Sequence, residues 1–257
     1  MKIIVCYKWV PDEQDIKIAA DLKVDMSMAK WKISEYDKNA IEEAALQAEN
    51  NAAEVTCLTF GTSKAKQSLK DALSRGPEKA YWVNDAKAEN TDGFVTANIL
   101  AAAIKKVGIP DLIFFGEGSE DSYGQQVGPR VAALLDIPAL TFVTKTAVKD
   151  DAITTTRSIG NCTEDVTASF PAVVCMLPEI NKPRIPSLKQ VLKASKKPVE
   201  EIKLADLGLS DAELTVKNKV KSIQGFVMNR KNKLYQDGSS AEKVKALVSD
   251  LAKEGLA

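Results

Sequence analysis

Apolar positions along the chain change period several times, and each change predicts an element. KIIVCYKWV, Lys2 to Val10, is a short apolar run closed by Pro11-Asp12 and predicts a buried strand. In YDKNAIEEAALQAE, Ile41, Ala44, Ala45 and Ala48 recur at helical spacing, which predicts a helix with Asp37 as N-cap and Glu42 and Glu43 in its early turns. EVTCLTF, Glu54 to Phe60, predicts a second strand closed by Gly61. SKAKQSLKDALSRG places Ala65, Leu69, Ala72 and Leu73 on one helix face and stops at Gly76-Pro77. KAYWV predicts a third strand. TDGFVTANILAAAIKKVGIP carries helix periodicity through Val95, Ile99, Ala102 and Ala103, and DLIFF predicts a fourth strand.

Strands that alternate with helices in this way predict an α/β fold, a doubly wound, mostly parallel sheet, because parallel neighbours need long crossovers. Ligands of such sheets sit beyond the carboxyl ends of the strands. After Asp136 the pattern shifts. ALTFVTKTAVKDDAITTTR and EDVTASFPAVVCML alternate like antiparallel strands added to the sheet. From Pro178 the chain turns rich in proline and lysine. Its last segment, SSAEKVKALVSDLAKEG, sets Val244, Leu247, Val248 and Leu251 on one stripe behind a Ser239 or Ser240 cap. The expected organisation is an α/β domain over 1–198 and a C-terminal extension over 199–257, whose stripe needs this sheet or another chain to cover it.

Composition narrows the chemistry. Lys plus Arg and Asp plus Glu both total 35, so no global field recruits nucleic acid or an anionic membrane. No apolar run approaches the roughly 18 residues that span a bilayer, and the first strand begins almost at Met1, so a cytoplasmic protein is expected. Cys6, Cys57, Cys162 and Cys175 form no C-x-x-C pair and read as small buried apolar residues. The chain has no histidine, which removes the Ser-His-Asp and Cys-His mechanisms and the HExxH zinc sites.

The segment FFGEGSEDSYGQQVGPRVA, Phe114 to Ala132, predicts a strand, a glycine-bearing loop and a helix beginning at Gln125. No GK[ST] follows, so a hydrolysed triphosphate is disfavoured. Backbone N–H groups and the helix start can hold a phosphate without a cationic side chain, while Glu117, Glu120 and Asp121 face elsewhere or accept from ribose hydroxyls. Gln126 offers a donor and an acceptor, Gly128 allows close approach, and Pro129 is tolerated in the first helical turn. Gly116 and Gly118 also read as turn chemistry alone.

The chain resembles the β subunit of electron transfer flavoproteins, within the FixA-like bacterial branch. The resemblance rests on CYKWVPDEQDIKI, ISEYDKNAIEEA, LSRGPEKAYWV, GEGSEDSYGQQVG and PAVVCMLPEINKPRIPSLKQVLKASKKP, over about residues 1 to 205. It implies a Rossmann-like fold of the adenine nucleotide alpha hydrolase type. It also implies a heterodimer with an α subunit that holds FAD, and electron relay from flavin-dependent, acyl-CoA type dehydrogenases to an acceptor oxidoreductase. The β subunit of this family holds AMP or, in electron-bifurcating members, a second FAD. QQVGP, Gln125 to Pro129, looks more like the branches with FAD in β. No GxGxxG with a suitably placed acid supports a nicotinamide site.

The nucleotide contacts implied by the resemblance fall on Cys6, Ser34, Asp37 and Phe60, and on the run Glu117, Gly118, Ser119, Glu120, Asp121, Ser122, Tyr123, Gly124, Gln125, Gln126, Val127 and Gly128. Cys6 and Phe60 read equally as core, and Ser34 and Asp37 equally as helix caps. The resemblance further implies a partner-docking segment over 184–198, with Leu188 as apolar anchor and Arg184, Lys193, Lys196 and Lys197 around it. Arg157 and Glu164 match family positions as an ion pair or as contacts near the subunit boundary. No residue is assigned acid-base or nucleophilic work, so an electron carrier rather than an enzyme is expected. The rival reading is an ATP pyrophosphatase-like or nucleotide-sensor domain, since GSEDS faintly resembles the SGG-x-DS loop, although that loop belongs after a first strand.

Overall fold

The first strand, β1 (Lys2–Cys6), is followed by β2 (Trp9–Pro11), β3 (Lys17–Ile18), β4 (Val24–Asp25), β5 (Trp31–Ile33), α1 (Glu35–Asn51), β6 (Glu54–Gly61), α2 (Ser68–Ser74), β7 (Lys79–Asn84), α3 (Gly93–Val107) and β8 (Leu112–Gly116). Then come α4 (Val127–Leu135), β9 (Ala139–Lys149), β10 (Ala152–Ile159), β11 (Cys162–Ser169), β12 (Ala172–Met176), α5 (Leu188–Ala194), β13 (Val199–Lys203) and α6 (Ser240–Lys253). The computed structural model describes residues 1–226 and 230–256.

Nine strands form one sheet in the order β11-β10-β9-β12-β8-β1-β6-β7-β13. From β9 to β13 the neighbours are parallel, and β10 and β11 continue beyond β9 as an antiparallel meander. The chain leaves β1 towards β6 and β7 and returns to the opposite side of β1 with β8. The order therefore reverses between β1 and β8, which makes the carboxyl ends of these two strands the switch point where α/β sheets bind ligands.

Strand pleating divides the core between the two faces. Ile3 and Val5 pack with Leu112, Phe114 and Ile41 of α1 on one side. Ile4 and Cys6 pack with Ile113, Phe115, Ile99 of α3 and Val131 of α4 on the other. Among the described residues, every buried side-chain nitrogen and oxygen has a hydrogen-bond partner.

Four expectations change. The first apolar run is two strands: β1 stops at Cys6, and Trp9–Pro11 leaves the sheet to pair antiparallel with β5. PAVVCM is not antiparallel, because β12 is buried at all five positions and inserts parallel between β9 and β8. A strand covered on both faces reads as one continuous apolar run, so nothing in its own pattern gives its direction. SKAKQ forms a 3-10 turn, Ser63–Gln67, before α2 begins. Val199–Lys203 pairs with β7 as an edge strand of the main sheet, so one compact unit covers 1–17 and 25–222 and a second covers 18–24 and 223–257. The extension expected from 199 thus begins later, and its residues 227–229 and 257 lie outside the described residues.

Within the second unit, Ser239 and Glu242 form a capping box at the start of α6, and Tyr235 Oη donates to Asp250 at 2.8 Å. Val244, Leu247 and Val248 of α6 are exposed.

Arg184 fastens the segment after β12 to α1. Its main-chain N–H and Nε donate to Glu42 Oε2 at 3.0 and 2.8 Å, Nη2 to Glu42 Oε1 at 3.0 Å, and Nη1 to Glu49 at 2.6 Å. These bonds hold the guanidinium above its ordinary range. Arg184→Ala leaves the buried Glu42 carboxylate short of its cation and is expected to lower stability by about 2 kcal/mol, read as a fall in the midpoint of urea unfolding.

Candidate functional site

The switch point is built by three pieces: the link after β1, the start of α1, and the loop that leaves β8. At Gly116 these approach so closely that a Cβ would lie 2.7 Å from Tyr36 Cβ and from Asp37 Oδ1. Only glycine lets α1 begin against the end of β8.

Asp37 is not the cap of α1. Ser34 occupies that position without a side-chain cap bond, and its Oγ accepts from the Glu120 N–H at 3.4 Å. Asp37 lies inside the first turn and is 6% exposed. Its Oδ2 accepts from the Lys8 N–H at 2.8 Å and its Oδ1 from the Gly116 N–H at 3.1 Å. Burial pushes this carboxyl up to about 7, against the pull of the two amides and Lys8.

Each acid of the loop has a partner in the framework. Glu117 donates its N–H to Met176 O at 2.8 Å, and its Oε2 accepts from the Phe142 N–H at 2.6 Å. Burial raises its carboxyl, and the Phe142 amide and Arg157 draw it back. Glu120 accepts from the Glu35 N–H at 3.0 Å and from Lys32 at 3.4 Å. Asp121 takes Lys8 Nζ and the Ser119 hydroxyl. Burial opposes its charge, but Lys8 and Ser119 hold it below the ordinary range. Lys32 sits among Asp12, Glu13, Glu35 and Glu120; burial disfavours its charge, yet these carboxylates hold it above its usual value. The acids act as tethers that draw the loop onto β1, β5, α1 and β9.

With its side chains tied back, the loop turns its main chain sharply. Tyr123 and Gln125 adopt φ of 42° and 53°, the left-handed region, which costs about 1–2 kcal/mol at each non-glycine residue. The Tyr123 ring covers Gly118, where a Cβ would lie 2.5 Å from Cδ2, and tilts against Tyr36 with centroids 5.1 Å apart. Among the described residues, the N–H groups of Gly124, Gln125 and Gln126 donate to no protein group. A Cβ on Gly124 would meet nothing within 4 Å. Left-handed Gln125 followed by right-handed Gln126 is the alternation that makes an anion nest, and α4 starts directly behind it at Val127. This geometry fits a phosphate group.

Two expected roles shift in the same loop. Helix α4 begins at Val127 rather than Gln125, because the left-handed Gln125 cannot continue a helix. Gly128 also serves packing: its Cβ would fall 2.3 Å from Cys175 Sγ, so glycine lets α4 lie on β12. Gln126 Oε1 accepts from Arg130 Nε at 3.3 Å. Ser122 lies against Asp121 at 3.4 Å. Cys6 is buried at the end of β1, its thiol pushed far up by burial, and Phe60 is half-buried on β6 against the same core cluster; Cys57 and Cys175 are buried too, but Cys162, expected buried, is exposed at the start of β11 beside a turn. The structure thus gathers Cys6, Ser34, Asp37, Phe60 and residues 117–128 around the carboxyl ends of β1, β6 and β8. Sequence reading missed Lys8, Lys32 and Phe142, whose partners lie 25 to 113 positions away.

The second candidate surface is α5. Ser187 and Gln190 form a capping box, and Ala194 is buried. Leu188 is 76% and Leu192 60% exposed, and with Lys189, Lys193 and Lys196 they line an open groove of about 500 Å³. Ile185 is exposed just before them. Leu192 was missed, although its spacing of four from Leu188 is a helix signal. Lys197 does not join this cationic rim. Its Nζ donates to Leu73 O, Gly76 O and Pro77 O at 3.1, 3.2 and 2.7 Å and closes the end of α2. Arg184, bound to Glu42 and Glu49, also serves the fold. Arg157 pairs with Glu164 across β10 and β11 at 2.5 Å and anchors to Thr141 O at 2.7 Å.

No group of described side chains is arranged to hold a metal ion, and no described helix is long and apolar enough to cross a membrane. A family model described as the electron transfer flavoprotein domain matches residues 21–207, a span that includes the α1 entry, the 117–128 loop and α5. With the match covering well over half of the chain, and an α/β fold with a mostly parallel sheet consistent with it, the protein belongs to the electron transfer flavoprotein domain family, a family of electron carriers.

Proposed function

We propose that this chain is the β subunit, of the FixA-like branch, of a heterodimeric electron transfer flavoprotein. It binds an adenine nucleotide, FAD or alternatively AMP, at the 117–128 loop. The observation that carries the reading is the division of labour in that loop: Glu117, Glu120 and Asp121 are bonded to the framework, while the amides of Gly124 to Gln126 have no partner among the described residues. A bound flavin would supply the reversible electron chemistry. The chain's own residues orient it. The amide nest and the start of α4 hold phosphate, the Tyr36–Tyr123 ring pair steadies the loop, and the neighbouring carboxylates set the local potential.

In this reading α5 docks on a flavin-dependent dehydrogenase of the acyl-CoA type. Leu188 and Leu192 enter a partner pocket, and Lys193 and Lys196 steer an acidic rim. The exposed stripe of α6 packs on the α subunit, which carries its own FAD, and electrons pass on to an acceptor oxidoreductase. The setting is cytoplasmic.

Acid release followed by chromatography tests the assignment. Stoichiometric AMP or FAD is the expected result, with a yellow complex on coexpression with an α subunit. An empty protein would make residues 116–128 turn chemistry only, and ATP turnover by the isolated chain would favour the pyrophosphatase reading.

A further inference from the structure

Asp37 stands where a ligand contact is expected, and the structure turns its carboxylate onto the main chain. It is 6% exposed, and both its oxygens accept main-chain N–H groups, one from the link after β1 and one from the last residue of β8. Those are the two strand ends that frame the switch point, and Gly116 leads directly into the 117–128 loop. Among the described residues, no cation forms an ion pair or side-chain hydrogen bond with the carboxylate. Lys8, whose N–H it accepts, sends its Nζ to Asp121 instead.

We propose that Asp37 is a positioning residue that clamps the ends of β1 and β8 through the Lys8 and Gly116 amides, and that protonation of its carboxylate opens the clamp and speeds nucleotide release. This rests on the reading that a nucleotide occupies the loop. The ionised carboxylate can accept both amides fully. A protonated carboxyl keeps one strong acceptor, and its new O–H points at N–H groups that cannot accept it. One amide is then let go, and the root of the loop goes with it.

The surroundings place this change near neutrality. The titratable groups facing Asp37 are Cys6, Tyr7 and Lys8 from β1 and its link, Asp121 from the loop and Cys175 from β12. Both thiols and the phenol are pushed well above their ordinary values by burial, so they stay neutral. Asp121 opposes the charge and Lys8 favours it, and burial sets the balance at about 7. The signs of two measurable quantities then differ. Because the folded value lies above the ordinary 3.8, Asp37 contributes stability that is present below about pH 4 and is lost as pH rises through about 7. Nucleotide retention moves oppositely, since the clamp needs the charge.

The test uses the full chain in the complex in which it is purified. Release of bound FAD, whose phosphates do not titrate in this range, is followed from pH 6 to 8, and thermal midpoints are recorded at the same values. A group titrating near 7 is about nine-tenths charged at pH 8 and about one-tenth at pH 6, so release is expected about tenfold faster at pH 6. Asp37→Asn is expected to release at the fast rate at every pH while melting at a higher temperature than the unsubstituted protein at pH 8. A slope that survives in Asp37→Asn, or lower stability together with faster release, would overturn the clamp. Protein with neither FAD nor AMP at any pH would instead overturn the nucleotide reading. The clamp would then be judged by amide exchange at pH 8, where Lys8 and Gly116 should exchange at least tenfold faster in Asp37→Asn, and equal rates would reject it.

Discussion

Gly116→Ala is expected to destabilise the protein by about 3 kcal/mol and to empty the crevice, whereas Gly124→Ala should leave stability within about 0.5 kcal/mol. The two glycines belong to one loop region and differ in what surrounds them. A methyl group at 116 would sit 2.8 Å from the Tyr36 carbonyl carbon as well as 2.7 Å from Tyr36 Cβ and Asp37 Oδ1. The two Tyr36 atoms belong to or adjoin the main chain, and the Asp37 carboxylate is held by two N–H groups, so α1 must back away from β8 and the Asp37 bond to the Gly116 N–H must break. A methyl group at 124 would meet no protein atom within 4 Å. Any cost it carries falls on what binds beside it, so Gly124→Ala should lower nucleotide content while the unfolding midpoint stays in place. Urea unfolding together with chromatography of released nucleotide reads both. Unchanged nucleotide in Gly124→Ala would move the phosphate away from this part of the main chain.

Leu188→Asp is expected to cut electron delivery from the dehydrogenase by more than about 30-fold in kcat/KM without lowering the thermal midpoint. With 76% of its surface open, Leu188 contributes little to the core, and Ser187 and Gln190 still cap the helix. Truncating a central apolar anchor of an interface typically costs about 2 kcal/mol, close to the 30-fold stated. A carboxylate at that point also opposes the Lys189, Lys193 and Lys196 rim, so the loss should exceed that of Leu188→Ala. Stopped-flow reduction by the dehydrogenase measures the rate, and calorimetry the midpoint. An unaltered rate would put the docking surface elsewhere on the protein.

These substitutions draw on two kinds of information. Helical and strand periods told where β6, α3 and β8 lie, and crossovers of helical length required a parallel sheet. The loop's lack of a Walker lysine, and its glycines behind a strand, point in the sequence to a main-chain nest. Leu188 was also legible as a candidate anchor, since its immediate flanks Pro186, Ser187 and Lys189 are those of an exposed turn.

Local pattern could not carry the rest, because the rest depends on what lies opposite. A doubly covered strand such as β12 has the same apolar text in either direction, and only its seat between β9 and β8 decided that it runs parallel. The sequence around Gly128 gives no sign of its packing partner, and only the fold brings Cys175 Sγ against it. Lys197 and Arg184 read as exposed cations until the fold brought carbonyls and carboxylates to them. The amino-acid order by itself determined the type and succession of elements and put an unusual acidic loop at the mouth of a parallel sheet. Tertiary structure alone decided what those acids do, since electrostatic and hydrogen-bond partners are chosen by distance in space, and Lys8, Glu35 and Phe142 come within reach only once the sheet is closed.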